Sequence, residues 1–497
     1  MKDLLLGIDI GTTGTKCTFY DMAGSMVASA YQEYPMLNPR PGWYEQDPQK
    51  WWDSVCKNLR ACFSSKSVAK ERVLAIGISG TNAVVLVDGN GSALCPALGL
   101  HDRRSEEQLA WLRERIDGAE ILRITGNRLA KGSFALPRLK WMQEQLPEAM
   151  EKSRCFLTPG GYVTQHLTGE FIISHSRANL TLMADIHTGN WSDAIVEAAE
   201  FPRSRLPKSV APCTVVGAVT AAAAAETGLL EGTPVAAENV DTVAATLAAG
   251  AVEPGDIAIT IGSSGRVCCI SGRPMINEKL LNCESPIPGR WTVIQTTDNA
   301  GVSLRWFRDV FGKTAAEEVR GGESIYDVFN RMAAAVPPGA EGLLYLPYLS
   351  GEQSPIWNPS ARGVFFGMGL ESGYGHFVRA VMEGVAFSIK DCLGVLELEE
   401  LPPFIPMGGG AANSGLWCQI FADVLGCPIS KAPYAETETL GAAITAVKSV
   451  GSPFPRGEAA PDKAPLFMPR REYTERYQES FRKYKSVYNH LICDFGG

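Results

Sequence analysis

The sequence predicts an α/β protein of two similar domains that face each other across a central cleft. Apolar runs typical of strands alternate with helical patterns along most of the 497 residues. A strand, a tip rich in glycine and hydroxyl residues, and a second strand occur at residues 4–20 and again at 254–272. The two tips begin at Gly11 and Gly262, about half a chain apart, so each half of the chain opens with the same hairpin.

The elements of the first half follow from local patterns. Residues 4–10, 16–20 and 26–34 are predicted to form a meander of strands. A helix then begins at Pro48, with Asp47 as its N-cap, and runs towards Cys62. Later elements are, in order, strands at 73–79 and 84–87, helices at 104–115, 135–144 and 219–228, a strand at 233–238 and a helix at 240–249.

The second half contains a third glycine run, "PMGGGAANSG", after the short apolar segment 404–407. A helix capped by Asn413 or Ser414 is predicted behind it, and residues 473–492 are predicted to form a final amphipathic helix. The domain boundary is expected near residues 251–255. This gives an N-terminal domain of residues 1–250 and a C-terminal domain of residues 251–497.

Composition excludes several classes of protein. The net charge is −8 and no basic run stands out, which argues against a nucleic-acid or anionic-membrane partner. The N-terminus lacks a signal-peptide pattern, and no apolar run reaches the roughly 18 residues of a membrane helix. Thirteen scattered cysteines with no C-x-x-C fit the reducing cytoplasm, and a structural zinc site is not expected.

The glycine-rich tips carry the parts of a phosphate site. Glycine lets backbone N–H groups approach a phosphate, Ser and Thr add hydroxyl donors, and a nearby aspartate such as Asp9 can hold Mg²⁺ through water. The first tip fits neither a P-loop nor a dinucleotide fingerprint, because a strand and not a helix follows it. A single glycine-rich tip is more often only a tight turn or a strand–helix connection, but the order and spacing of all three favour an ATP site.

Asp241 is the single residue of the sequence with the clearest candidate role in catalysis. It lies at the start of an alanine-rich helix, after a strand and just before the second hairpin. A carboxylate there could simply favour the helix dipole. At the domain junction it would instead face the cleft and accept the proton of a hydroxyl that attacks a phosphate. The residue alone leaves both interpretations open.

Longer segments resemble a known family. "GIDIGTTGTK", "TIGSSG", "FFGMGLESGYGHFVRAVMEGVAF", "MGGGAANSGLWCQIFADVLGCPI" and "ETETLGAAITA" are similar, in this order, to motifs of the FGGY carbohydrate kinases. The resemblance covers nearly the whole chain. It implies two ribonuclease-H-like domains of the actin/hexokinase/Hsp70-like ATPase fold, with ATP and Mg²⁺ as cofactors.

The resemblance also implies residue roles. Asp241 would be the catalytic base, and Asp9 would bind Mg²⁺. Asp102 and Arg104 match a family segment and are interpreted as structural. The implied phosphate- and nucleotide-binding residues are Gly11, Thr12, Thr13, Lys16, Gly262, Ser263, Ser264, Gly409, Gly410 and Asn413. The expected substrate-binding residues are Thr81, Asn82, Thr242 and Asp241.

The acceptor is the least determined part of the prediction. Kinases of the family that act on glycerol carry an Arg-Glu pair after the strand at 73–79, and xylulose kinases a Met-His pair, where this chain has Thr81-Asn82-Ala83. A pentulose such as xylulose is the leading acceptor, with gluconate, ribulose, a pentitol or erythritol as alternatives. A non-catalytic, nucleotide-dependent binding protein on the same fold is the competing class. A homodimer is a further expectation from the family.

Overall fold

The structure is a computed structural model that describes residues 2–64, 68–130, 134–432, 436–453 and 465–495. The chain divides into two compact units. The first comprises the described residues of Met1–Ala248, Ser271–Val293 and Glu436–Glu458, and the second those of Ala249–Ile270, Ile294–Ala435 and Ala459–Gly497.

Up to residue 248 strands and helices alternate, and the structure adds to the predicted elements several between residues 145 and 218. The strands are β1 (Leu4–Ile10), β2 (Gly14–Asp21), β3 (Met26–Glu33), β4 (Glu45–Gln46), β5 (Val73–Gly80), β6 (Val85–Val87), β7 (Ala97–Leu98), β8 (Cys155–Leu157), β9 (Ile172–Ser174), β10 (Lys208–Val210), β11 (Val215–Ala218), β12 (Pro234–Ala236) and β13 (Asn239–Val240). The helices are α1 (Pro48–Phe63), α2 (Glu106–Arg115), α3 (Gly118–Thr125), α4 (Ala135–Gln145), α5 (Pro147–Lys152), α6 (Pro159–Thr168), α7 (His175–Asn179), α8 (Asp193–Ala198), α9 (Ala221–Thr227) and α10 (Asp241–Ala248).

The remaining part of the chain repeats the hairpin and then becomes more helical. Its strands are β14 (Ile257–Ile261), β15 (Gly265–Ser271), β16 (Leu281–Glu284), β17 (Trp291–Thr297), β18 (Leu344–Leu346), β19 (Val364–Phe366), β20 (Ile405–Gly408), β21 (Ile429–Lys431) and β22 (Leu466–Phe467). Its helices are α11 (Gly301–Phe311), α12 (Lys313–Glu317), α13 (Ile325–Ala334), α14 (Tyr374–Val395), α15 (Gly415–Leu425), α16 (Thr437–Ser449) and α17 (Arg471–Leu491).

A mixed sheet forms the centre of the first unit. Its order is β11-β12-β5-β1-β2-β3, and β13 also pairs with β5. β1 is antiparallel to β2 but parallel to β5, and β5 is parallel to β13. The carboxyl ends of β1, β5 and β13 therefore meet at one edge of the sheet, which is where ligands bind in sheets of this kind.

Helix α16 belongs to the first unit although it lies late in the sequence. It packs directly on β1 and β5, and its approach is so close that glycine is required. A Cβ atom at Gly7 would overlap the carbonyl oxygen of Thr439, and one at Gly77 would overlap that of Ala442. On the other side of the helix, a Cβ at Gly441 would overlap the carbonyl oxygen of Ala244 in α10.

We expect Gly77→Ala to destabilise the first unit strongly. The added methyl group has no space against the α16 backbone, so the helix must move, at a cost of about 3 kcal/mol or more. Differential scanning calorimetry should show a lower Tm by several degrees. Gly89→Ala is the matched control, because a Cβ atom at Gly89 meets no atom within 4 Å. Equal Tm values for the two variants would show that α16 does not need this close packing.

In the second unit, the strand of the repeated hairpin adjoins the strand of the glycine run. β14 is antiparallel to β15 and parallel to β20, and β20 is parallel to β21. The Ser414 side chain accepts a hydrogen bond from the Trp417 backbone N–H. Of the two predicted caps of α15, Asn413 and Ser414, the N-cap is therefore Ser414. Helix α14 is buried along most of its length and forms the apolar centre of the unit.

The predicted α/β class and the repeated hairpin are confirmed, and most predicted elements differ only at their ends. Helix α2 begins at Glu106 and not at residue 104, because Arg104 is engaged by Asp102. The division into halves is less simple than expected. The first unit ends at Ala248 near the predicted boundary, but residues 271–293 and α16 also pack with it. Among the described residues, no helix is long and apolar enough to cross a membrane.

Candidate functional site

The edge of the first-unit sheet where β1, β5 and β13 end carries several predicted site residues. Asp9 lies opposite Lys16 of β2 and beside Ser79 of β5 in the strand register. Asp241 follows β13 directly and begins α10. The backbone N–H of Thr81 donates to the carbonyl oxygen of Ile10 at 2.8 Å, which joins the ends of β1 and β5. Residues far apart in sequence are thus brought to one edge.

Asp9 is an acid in a site with an excess of negative charge. Its Oδ1 accepts a hydrogen bond from the Ser79 hydroxyl at 2.8 Å. Burial, followed by the nearby carboxylates of Glu438 and Asp241, raises the pKa of Asp9 from 3.8 to about 7. The Ser79 hydrogen bond and the Lys16 charge oppose this shift without cancelling it. A cation placed here would favour the ionised form of Asp9.

The Asp241 carboxylate is oriented by hydrogen bonds to one of its two oxygen atoms, Oδ1. Oδ1 accepts hydrogen bonds from the Thr242 backbone N–H at 2.6 Å and from the Thr242 hydroxyl at 3.1 Å. The side chain of Thr242 is buried, whereas Asp241 is partly exposed. Within the described part of the chain, no hydrogen bond to Oδ2 is present. That oxygen is therefore available to take a proton from a bound hydroxyl.

The first glycine-rich tip is a tightly held turn. The Gly11 N–H donates to the Gly14 carbonyl oxygen at 2.9 Å. The Tyr34 hydroxyl donates to the carbonyl oxygen of Gly11 at 2.6 Å, and the Gln46 amide to that of Thr12 at 2.7 Å. These bonds use the carbonyl oxygens of the tip. They fix its shape while the hydroxyls of Thr12 and Thr13 stay at its end.

Lys16 has an acidic partner that the sequence analysis did not predict. Its Nζ lies 2.5 Å from a carboxylate oxygen of Glu436, just before α16. Glu438, in the first turn of α16, is the acid that acts most strongly on Asp9. The quoted segment "ETETLGAAITA" contains both acids, but no local pattern indicates that its helix packs against β1. The sequence feature that accompanies this packing is the set of glycines Gly7, Gly77 and Gly441, which allow α16 to approach its neighbours closely.

Thr81 lines a small pocket in the first unit, and Asn82 is the next residue of the chain. The Thr81 hydroxyl is 3.2 Å from that of Thr12. The pocket has room for about one water-sized group and is lined by Thr12, Met36, Tyr44, Gln46, Thr81, Gly99, Leu100 and His101. Asn82, which follows Thr81, is half-buried and is held by Arg138 through its amide oxygen at 3.0 Å. The predicted acceptor-binding residues are thus near the first tip.

Asp102 and Arg104 form a buried structural pair, in keeping with the sequence interpretation. Arg104 binds Asp102 at 2.8 Å and Glu45 at 2.8 Å. Its guanidinium also lies 3.6 Å from the ring centre of Trp43, which contacts Trp141 edge-on at 5.6 Å. Trp43 is therefore packed between Arg104 and Trp141.

A buried ion pair supports the strand that leads to Asp241. Glu238 and Arg177 are both fully buried, 4.0 Å apart. Glu238 accepts a hydrogen bond from Thr158, and Arg177 donates to the carbonyl oxygens of Gly80 and Asn239. Arg177 thus links the last residue of β5 to β13. No local sequence pattern indicates a role for Glu238 or Arg177, because their pairing joins separate segments of the chain.

The predicted nucleotide residues of the second unit form a group of their own. Gly262, Ser263 and Ser264 make the tip between β14 and β15. The Gly262 carbonyl oxygen accepts from the Gly301 N–H at 2.9 Å, at the start of α11. Gly409, with φ of +82°, lies against Ile261, and a Cβ atom there would overlap the Ile261 carbonyl group. Gly410–Asn413 is a short 3₁₀ turn, and Lys431 donates to the Asn413 side chain at 2.9 Å.

The described residues contain no group of three or more His, Cys, Asp or Glu side chains that could hold a metal ion. Mg²⁺ keeps several waters and is commonly bound by one or two carboxylates together with substrate phosphates. Asp9, whose pKa is raised by burial and then by neighbouring negative charge, is a donor suited to such an ion.

The mixed sheet and the repeated glycine-tipped hairpin are typical of the actin-like ATPase fold, and the family of sugar kinases that the chain matches makes it a phosphotransferase of that fold. Models of the N-terminal and C-terminal domains of the FGGY family of carbohydrate kinases match residues 4–248 and 257–450. The chain belongs to this family.

The chain matches named sugar kinases over most of its length. The chain is 30% identical over 456 residues to gluconokinase of Bacillus subtilis, covering 91% of this chain and 88% of the relative. It is 30% identical over 501 residues to xylulose kinase of the same organism, and the match covers 98% of this chain and 97% of that relative. The crystal structure of xylulose kinase from Rhodospirillum rubrum superposes with a TM-score of 0.90 at 29% identity, covering 99% of this chain and 100% of that structure.

Proposed function

We propose that the protein transfers the γ-phosphate of ATP to a hydroxyl group of a pentulose such as xylulose. The observation that carries the proposal is the Asp241 carboxylate, fixed by one oxygen at the sheet edge near Asp9 and Thr81. The similarity to xylulose kinases over nearly the whole chain supports the choice of acceptor. Gluconate is the second candidate, because the gluconokinase of Bacillus subtilis is as similar in identity.

Asp241 acts as the general base in this proposal. Phosphoryl transfer requires a group that orients the attacking hydroxyl and accepts its proton as the new P–O bond forms. Thr242 holds Oδ1 with two hydrogen bonds, so the carboxylate has a fixed orientation and Oδ2 receives the proton. Thr81 and Asn82 position the acceptor, which must approach Asp241 closely enough for a hydrogen bond.

The tips bind the nucleotide in this proposal. Gly11, Thr12, Thr13 and Lys16 contact the phosphates, and Gly262, Ser263 and Ser264 supply a second set of donors. Gly409, Gly410 and Asn413 contact the nucleoside. Lys16 exchanges its Glu436 partner for a phosphate oxygen, and its charge then offsets the charge that develops during transfer.

Asp9 holds Mg²⁺, directly or through a water molecule. The ion, when bound, neutralises charge on the ATP phosphates. Its presence also lowers the energy of ionised Asp9 beside Asp241 and Glu438. A cytoplasmic location and a homodimer remain predictions; size-exclusion chromatography with light scattering tests the second.

An assay of ADP release against a panel of acceptors tests the proposal. The panel contains xylulose, ribulose, gluconate, xylitol, erythritol and glycerol, each with Mg-ATP. We expect xylulose to give the highest kcat/KM, with glycerol near the background rate. A higher kcat/KM for gluconate would make gluconate the acceptor, while the proposed reaction, phosphoryl transfer from ATP to a hydroxyl group, would stand. ATP binding by calorimetry with no phosphorylated product from any acceptor would favour the non-catalytic binding protein instead.

A further inference from the structure

Arg138 of α4 is a buried cation whose hydrogen-bond partners are all oxygen atoms. Its side chain is fully buried, and burial lowers its pKa to about 9, so it stays charged at neutral pH. Nε donates to the carbonyl oxygen of Phe134 at 3.2 Å, and Nη1 donates to that of Leu98 at 2.6 Å. Nη2 donates to Oδ1 of Asn82 at 3.0 Å.

This contact determines how the Asn82 amide is turned. A guanidinium has only donors, so the atom of Asn82 that faces Arg138 must be the amide oxygen. The two ends of an amide look alike in shape, and only such a partner distinguishes them. The Asn82 NH₂ group is therefore directed away from Arg138, and no hydrogen bond from it is present within the described ranges of the chain.

Arg138 also joins the two chain segments that border the small pocket. Asn82 follows Thr81 on one side of the pocket, and Leu98 precedes Gly99, Leu100 and His101 on the other. The side chains that line the pocket include no carboxylate. One buried guanidinium thus fixes both the shape of this region and the orientation of a neighbouring donor.

We propose that Arg138 is a positioning residue that turns the Asn82 amide so that its NH₂ group, and not its oxygen, meets the acceptor substrate. This inference rests on the proposed function and deepens it. An N–H donor suits an oxygen that can only accept, such as the keto oxygen of a ketose or the carboxylate of an aldonate. An alditol presents only hydroxyl groups at the same place, and it gains less from this donor.

Asn82→Asp tests the proposal directly. The aspartate keeps the shape of asparagine and its contact with Arg138, but it replaces the NH₂ donor by an acceptor oxygen. Isothermal titration without nucleotide should show binding of xylulose and gluconate weakened by about tenfold or more, since two acceptor oxygens face each other. Binding of xylitol should change much less, because its hydroxyl can donate to the carboxylate. Equal changes for ketose and alditol, or none, would overturn the proposal.

Arg138→Lys provides a second, independent measurement. Lysine keeps the charge but not the planar fork, so Asn82 loses its fixed orientation. We expect the KM for the acceptor sugar to rise several-fold, with the KM for ATP unchanged and a smaller change in kcat. Arg113→Lys is the matched control, because Arg113 also binds carbonyl oxygens, those of Leu129 and Ala130, away from the pocket. A rise in both KM values for Arg138→Lys would indicate a merely structural arginine.

The outcomes separate this inference from the proposed function. If the wild-type protein binds xylulose or gluconate but phosphorylates neither, the proposed function fails. The Asn82→Asp titration then still tests whether the NH₂ group of Asn82 faces the bound sugar. If it phosphorylates an acceptor and Asn82→Asp keeps the wild-type preference, only the inference fails. If none of the sugars binds, both are overturned.

Discussion

Asp241→Asn should reduce kcat by about 10²–10⁴-fold while the KM for ATP stays near its wild-type value. The amide keeps the size of the carboxylate and can still accept the two hydrogen bonds from Thr242 through its oxygen. It can no longer take a proton from the acceptor hydroxyl. Steady-state kinetics with the best acceptor of the panel, together with ATP binding by calorimetry, measures both effects.

Asp88→Asn is the matched control for this substitution. Asp88 accepts backbone N–H bonds from Asn90 and Ser92 in a turn of the same unit, and asparagine can replace it there. We expect wild-type kinetics and Tm for this variant. A normal kcat for Asp241→Asn would show that another group is the base and would remove the central observation of the proposed function.

Asp9→Asn should weaken Mg²⁺ binding strongly and remove its dependence on pH near neutrality. The pKa of Asp9 is about 7, so the wild-type carboxyl group is increasingly protonated below that pH. Each pH unit below 7 should then raise the apparent Mg²⁺ dissociation constant about tenfold, because the proton competes with the metal. Mg²⁺ titrations of activity at several pH values measure this slope. An unchanged Mg²⁺ requirement in Asp9→Asn would refute the metal role.

The same carboxyl group makes a prediction about stability that does not depend on activity. Between its unfolded pKa, near 3.8, and about 7, the folded chain binds the Asp9 proton more tightly than the unfolded chain does. The contribution of Asp9 to the free energy of unfolding therefore falls as the pH rises through that range. Asp9→Asn should have a higher Tm than the wild-type protein at pH 8 but not at pH 4. An equal Tm difference between Asp9→Asn and the wild-type protein at pH 4 and pH 8 would contradict this prediction.

Much of the site could be predicted from sequence because its parts are local. The strand–tip–strand pattern around Gly11 and Gly262 is set by residues adjacent in the chain, and so is the N-terminal position of Asp241 on α10. The cap of α15 at Ser414 also follows from a local rule. The raised pKa of Asp9 could not be predicted in this way, because it comes from burial in the folded unit and then from Glu438 and Asp241, hundreds of residues away.

The sequence by itself determined the α/β class, the repeated hairpins and the family, and it named the candidate residues of the site. These depend on short-range spacing and on ordered motifs. The tertiary structure alone decided that α16 returns to the first unit, that Glu436 and Glu438 join Lys16 and Asp9, and that Arg138 turns the Asn82 amide. Each of these depends on close packing or on the direction of a hydrogen bond between distant segments. A one-dimensional pattern does not encode such distances.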